Sequence, residues 1–224
     1  MDIRHYDPTM RLSSLNSSFQ KFEIDLVLDV GANQGQFASE IRRGGYTGKI
    51  VSFEPLSDAH SKLLPASAKD AAWDVYTRCA LGDHCGEIEI NIAGNSLSSS
   101  ILPMLSTHQI AAPESAYQGR ELVAVKTLDT VATPYMKSAS APFLKIDTQG
   151  YESKVLDGAG ITLPFVRGVL VELSLVPLYE GQPLWMEMIE RLEAAGFVLW
   201  SFSPVFSDPR DGRTLQVDGV FYRA

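Results

Sequence analysis

The segment Val27-Leu28-Asp29-Val30-Gly31-Ala32-Asn33-Gln34-Gly35 carries the most informative chemistry in the chain. Its glycines follow an apolar, strand-like run directly, so the backbone there can approach a ligand closely, and the helical pattern behind them presents unpaired N–H groups. Phosphates are not the expected target. A dinucleotide fingerprint needs glycines at positions 31, 33 and 36, but Asn33 and Gln36 stand at the last two, and no Gly-Lys-Ser/Thr follows to make a phosphate loop. Nineteen residues beyond Gly35 (54 − 35), Glu54 ends a second apolar run. A carboxylate at that place can accept both ribose hydroxyls of an adenosine. The plainer alternative is a tight turn with a strand-end acid at the surface. Asp147 ends a later apolar run, Lys145 lies two residues before it on the same strand face, and Glu172 lies near the end of the run after that.

These residues need a scaffold, and the hydrophobic pattern supplies one. Apolar runs of strand length alternate with helical patterns, the signature of βαβ units and a parallel sheet. Strands are predicted at residues 24–30, 49–54, 73–79, 143–147, 166–173, 197–202 and 215–222. Helices are predicted at 34–43, from Ser57 to a stop at Pro65, at 151–157 and at 183–195. The last two strands are joined across Asp208–Gly212, a turn-rich link that suggests an antiparallel pair. Unbroken apolar stretches such as Leu26-Val27-Leu28 imply burial on both faces, hence helices on both sides of the sheet. Residues 86–127 break this rhythm. Two alternating segments there, Glu87–Ile92 and Glu121–Lys126, flank a Ser-containing stretch without period, which reads as an insertion or lid facing the substrate.

Six motifs stand in a fixed order: Asp29-x-Gly31-Ala32-Asn33-x-Gly35, Phe53-Glu54-Pro55, Ala80-Leu81-Gly82-Asp83, Thr127-Leu128-Asp129, Leu144-Lys145-Ile146-Asp147-x-x-Gly150-x-Glu152 and Val171-Glu172. Together they resemble the FkbM-type methyltransferases over about residues 25–220. The resemblance implies an α/β fold of the class I methyltransferase type: a Rossmann-like three-layer sandwich with a seven-stranded, mostly parallel sheet whose last strand is antiparallel. It also implies S-adenosylmethionine as methyl donor, a ligand without phosphates. Asp29, Gly31, Asn33 and Gly35 would surround the methionyl part, with the Asp29 carboxylate binding the ammonium directly or through water. Glu54 would hold the ribose, and Leu81 to Asp83 would border the adenine.

Methyl transfer requires an aligned acceptor oxygen and removal of its proton. In the implied fold Asp147 and Glu172 stand on neighbouring strands, and three roles are open to them. They hold a divalent cation, since Mg²⁺ favours carboxylates and water; or one is a general base whose pKa the other raises; or both are structural, Asp147 capping the helix near Tyr151 and Glu172 pairing with Lys145. Lys145 orients Asp147, serves as a base with a depressed pKa, or is simply a paired buried lysine. Glu152 suits the helix dipole, and the resemblance adds a part in ordering the site. His108 reads as an exposed loop histidine, Ser98–Ser100 as a polar turn, and Tyr179 as a pocket-lining or packed tyrosine. Trp185, Met186 and Ile189 read as core. Position 149 is Gln where many relatives carry an acid. The metal is therefore left unassigned.

Composition bounds the alternatives. The chain has 224 residues, 45% hydrophobic and 21% charged, enough for one domain with a single core, in which residues 1–23 form an N-terminal extension. A net charge of -8, without a basic stripe, disfavours nucleic acid and anionic lipid. The longest apolar stretch, Leu163–Tyr179, is interrupted by Arg167 and Glu172, and the N-terminus lacks a signal-peptide apolar run, so the expectation is no transmembrane segment and a cytoplasmic location. Cys79 and Cys85 are expected as reduced thiols. The expected activity is O-methylation of a hydroxyl on a sugar, glycolipid or polyketide-type small molecule, the partner being that small-molecule or glycan acceptor. The alternatives are a non-catalytic adenosine-ligand-binding or scaffold protein on the same fold and, weakest, a dinucleotide oxidoreductase. Self-association into a homo-oligomer is left open.

Overall fold

Strand β1 (Leu26–Val30) is buried at all five positions, as its unbroken apolar run demands, and it lies near the middle of the sheet. The computed structural model describes residues 8–223; residues 1–7, part of the segment read as an extension, lie outside them. The remaining strands are β2 (Lys49–Phe53), β3 (Trp73–Val75), β4 (Ala80–Leu81), β5 (Gly86–Ala93), β6 (Tyr117–Lys126), β7 (Pro142–Ile146), β8 (Gly168–Ser174), β9 (Val198–Ser207) and β10 (Thr214–Tyr222). Seven of them form one sheet in the order β3-β2-β1-β7-β8-β10-β9, parallel except for β10, which runs antiparallel to both its neighbours. This is the sheet that the sequence predicts.

The helices are α1 (Pro8–Lys21), α2 (Gln36–Arg43), α3 (Ser57–Ser67), α4 (Ser106–Ala111), α5 (Leu128–Met136), α6 (Glu152–Asp157) and α7 (Trp185–Ala194). They cover both faces. Phe19 of α1, Phe37 and Ile41 of α2 and Leu63 of α3 pack with Val27, Phe143 and Leu170 on one side. Leu128 of α5, Leu156 of α6 and Leu192 of α7 pack with Leu28, Leu144 and Val171 on the other. Alternate residues of one strand enter opposite cores, the period of two expected of a sheet buried on both faces. Among the described residues, no helix is long and apolar enough to cross a membrane.

Three local expectations are corrected, and the insertion gains detail. Pro65 does not stop α3, which runs on to Ser67; the ring lies in the last turn, where it removes one late backbone bond while buried Leu63 holds the helix to the core. The third strand ends at Val75 instead of Cys79, because Ala80–Leu81 pairs with β6 in a separate sheet of order β4-β6-β5. Within residues 86–127 the two alternating segments do pair, antiparallel, and the stretch between them is ordered by short turns and α4. Met186 is 60% exposed instead of core, whereas Trp185 and Ile189 pack on the core as expected.

Registry brings the candidate residues to one edge. Asp29 pairs with Lys145, and Val30, Ile146 and Val171 lie side by side. Asp147 and Glu172 each follow directly, so both stand at the C-terminal edge on adjacent strands. Open α/β sheets bind their ligands there.

Candidate active site

A cavity with about 660 Å³ of empty space, its open mouth included, lies above that edge. Gly31, Asn33 and Glu54 form one end, and Leu56, Cys79 and Leu81 contribute an apolar wall. Ser96 to Ser100 of the insertion reach over it, and Asp147, Thr148 and Gln149 form the other end.

The Gly31 end is built from backbone. Gly31 has φ +73°, and a Cβ there would stand 1.8 Å from the Asp147 carbonyl oxygen, so neither conformation nor space admits a side chain. The amides of Gly31 and Ala32 donate to the Phe53 carbonyl, each at 3.1 Å, which folds the turn back onto the end of β2. Glu54 completes the join: Oε2 accepts from the Asn33 amide at 2.7 Å and Oε1 from the Leu56 amide at 2.8 Å. Each carboxylate oxygen keeps a lone pair for a ligand hydroxyl. Burial pushes the Glu54 pKa up to about 7, against the lowering effect of those two amides. Asn33, with φ +48°, also reaches the insertion through Nδ2 donating to Ser96 Oγ at 3.3 Å.

Three donor-site candidates lie off the cavity. Asp29 is 0% exposed, its Oδ2 accepting from Ser52 Oγ at 3.1 Å and its Oδ1 lying 3.3 Å from Lys145 Nζ. Asp29 thus lies beneath the turn and off the cavity, with Oδ1 buried and without a hydrogen-bond partner. Gly35 stands at the start of α2 with φ +88° against Trp73. Asp83 turns outward to His84 and Lys154, at 2.7 and 2.9 Å, which hold its carboxyl near pKa 2. Leu81, by contrast, is a cavity wall.

The opposite end is a side-chain network. Lys145 Nζ donates to the Gly31 carbonyl at 2.8 Å and lies 3.3 Å from Asp29 and 3.6 Å from Asp147. Burial would lower its pKa, but the charges of Asp29 and Asp147 outweigh burial and hold it above the usual lysine value. A lysine base with depressed pKa is thereby corrected: Lys145 is a fixed cation. Its partners are Asp29 and Asp147, and Glu172 is instead held by two amides, Gln149 Nε2 at 2.8 Å and Gln216 Nε2 at 2.7 Å. Burial, then the Asp147 and Glu152 charges, raise the Glu172 pKa well above the usual carboxylate range.

Asp147 is 36% exposed and lines the cavity. It does not cap α6. The turn into α6 is ordered by Glu152, whose Oε1 accepts from the Thr148 amide at 2.9 Å and the Gly150 amide at 3.1 Å. Burial pushes the Glu152 pKa up to about 7. Tyr179 is buried with its hydroxyl 2.8 Å from Gln149 Oε1 and 3.1 Å from the Ser98 carbonyl. His108 is 2% exposed instead of a surface histidine, edge-on to Tyr179, and burial lowers its pKa to about 4. Ser98 and Ser100 are likewise buried, Ser100 Oγ donating to the Gln149 carbonyl at 2.6 Å. Gln149 entered the sequence reading only as a departure from the family pattern, and Gln216, which joins the same network, was not assigned. A polar Gln216 and Asp218 inside an otherwise apolar final strand were the available signal. Among the described residues, no three His, Cys, Asp or Glu side chains are grouped to hold a metal ion.

No curated protein sequence matches the chain significantly. Among solved structures, magnesium protoporphyrin IX methyltransferase from Synechocystis PCC 6803 with bound SAM superposes with a TM-score of 0.53 at 8% identity, covering 96% of this chain and 77% of that one. An uncharacterized protein from Listeria monocytogenes serotype 4b gives 0.51 at 9% identity over 98% of this chain and 69% of its own. At such identities the likeness is one of fold, that of the class I methyltransferases. The sequence model of the FkbM methyltransferase domain matches residues 29–199, well over half of the chain, and the chain therefore belongs to the FkbM methyltransferase family.

Proposed function

We propose that the chain is an S-adenosylmethionine-dependent O-methyltransferase acting on a hydroxyl of a sugar, glycolipid or polyketide-type small molecule. The observation that carries this reading is one cavity with two unlike ends: a glycine turn closed by Glu54, and a partly exposed Asp147 facing the same space. Glu54 accepts the ribose hydroxyls, and the wall of Leu56, Cys79 and Leu81 takes the adenine. When bound, S-adenosylmethionine supplies an electrophilic methyl whose carbon–sulfur bond breaks with its electron pair kept by sulfur. The acceptor oxygen approaches in line and forms the new carbon–oxygen bond, and its proton passes to Asp147. Asp147 is the candidate base because it is open to the cavity and Lys145 fixes one of its oxygens. Glu172 stands behind it, held by two amides. The acceptor enters beneath residues 94–119, whose Ser96, Ser99 and Ser100 line the cavity, while Tyr179 is packed behind it.

A screen of glycoside and polyol acceptors with methyl-labelled donor tests the reading. Label transferred to a hydroxyl by the wild type supports it; transfer only to amines replaces O- with N-methylation, and a folded chain that binds the donor but methylates nothing favours a binding protein.

A further inference from the structure

Gln149 occupies an unusual place. Its Nε2 donates to Asp147 Oδ1 at 2.8 Å and to Glu172 Oε2 at 2.8 Å, so both amide hydrogens are spent on carboxylates. The other side of the carboxamide is equally committed, since the Tyr179 hydroxyl lies 2.8 Å from Oε1. This sets the orientation of the amide: turned over, its oxygen would face two carboxylate oxygens and its NH₂ would face Tyr179. The backbone is pinned as well. Gln149 has φ +54°, and its carbonyl accepts from Ser100 Oγ at 2.6 Å.

Two adjacent carboxylates would suffice for Mg²⁺, which commonly takes one or two of them together with water and substrate oxygens. Here the amide nitrogen stands between them. A cation would have to displace it, breaking both hydrogen bonds, and draw the oxygens from 2.8 Å to about 2.0–2.1 Å. The charge that a cation would neutralise is also met by other groups. Lys145 lies 3.6 Å from Asp147, and Gln216 Nε2 donates to Glu172 at 2.7 Å.

We propose that the Gln149 carboxamide, in place of a divalent cation, bridges Asp147 and Glu172, so that this chain positions its base without metal and a Gln149→Glu exchange converts the bridge into a metal site. Gln149 is thus a positioning residue. The inference rests on the reading of Asp147 as the base, but its test is independent of methyl transfer.

Mn²⁺ titration of the purified protein, followed by electron paramagnetic resonance of the free ion, is the experiment. The wild type is expected to take up no stoichiometric Mn²⁺. Gln149→Glu, checked for folding by thermal unfolding, is expected to bind roughly one equivalent and to lose it when Asp147→Asn is added. One equivalent bound by the wild type and abolished by Asp147→Asn overturns the proposal whether or not Gln149→Glu folds. A folded Gln149→Glu that binds no Mn²⁺ overturns the assignment of the bridge to Gln149. If Gln149→Glu does not fold, the wild-type titration decides: no uptake supports the bridge. Loss of all methylation with these metal results unchanged would count against the proposed reaction and leave the bridge standing.

Discussion

The two ends of the cavity are built on different principles. At the donor end the recognition surface is backbone, shaped by Gly31 and Asn33 at positive φ and tied by amides to a single carboxylate, Glu54. At the acid end it is side chain: Asp147 and Gln149 line the cavity, and Glu172, Tyr179 and Gln216 stand off it in the same hydrogen-bonded group. A backbone surface suits a constant ligand, whereas a side-chain network can be altered one residue at a time.

This contrast sets the expected effects of substitution. Asp147→Asn removes the proposed base and is expected to lower turnover by about 10²–10⁴ while leaving donor affinity within roughly twofold; steady-state rates and titration calorimetry check both. Gly31→Ala forces a Cβ to 1.8 Å from the Asp147 carbonyl at φ +73°, and a loss of about 2–4 kcal/mol of stability is expected from denaturant unfolding.

Proton linkage separates the ends further. The Glu54 pKa of about 7 lies above its ordinary value of 4.5, so the native state retains this proton over that window. The stability contribution of Glu54 is therefore complete below pH 4.5 and is lost as pH rises through 7. Donor affinity should move the opposite way, rising toward pH 7 and above because the ionised carboxylate is the better acceptor of hydroxyls, and Glu54→Gln should flatten both profiles. Smallest of all, Tyr179→Phe leaves Gln149 Oε1 without its donor and is expected to cost about 1 kcal/mol and less than tenfold in turnover.

The same contrast explains what was legible in the sequence. The sheet and the glycine turn follow from local rules, a period of two, a run buried on both faces and glycines where φ is positive, so seven strands, the Gly31 turn and a carboxylate ending the second strand could be read from residue order. Pro65 misled because its effect depends on how near the helix end it falls, and His108 because burial of α4 comes from packing against Tyr179 and Phe206, far away in sequence. The acid network was half legible. Asp147, Glu172 and Lys145 were recognisable as strand-end chemistry, but which acid Lys145 pairs with and what Gln149 bridges depend on contacts between three strands and a turn that no spacing encodes.

Calorimetric titration of S-adenosylmethionine into wild type, Glu54→Gln and Asp147→Asn tests the division of labour most directly. One-to-one binding is expected for the wild type, weakened about tenfold or more by Glu54→Gln through loss of hydrogen bonds to a charged group, and unmoved by Asp147→Asn. No binding by the folded wild type, or binding lost with Asp147→Asn and kept with Glu54→Gln, would contradict it.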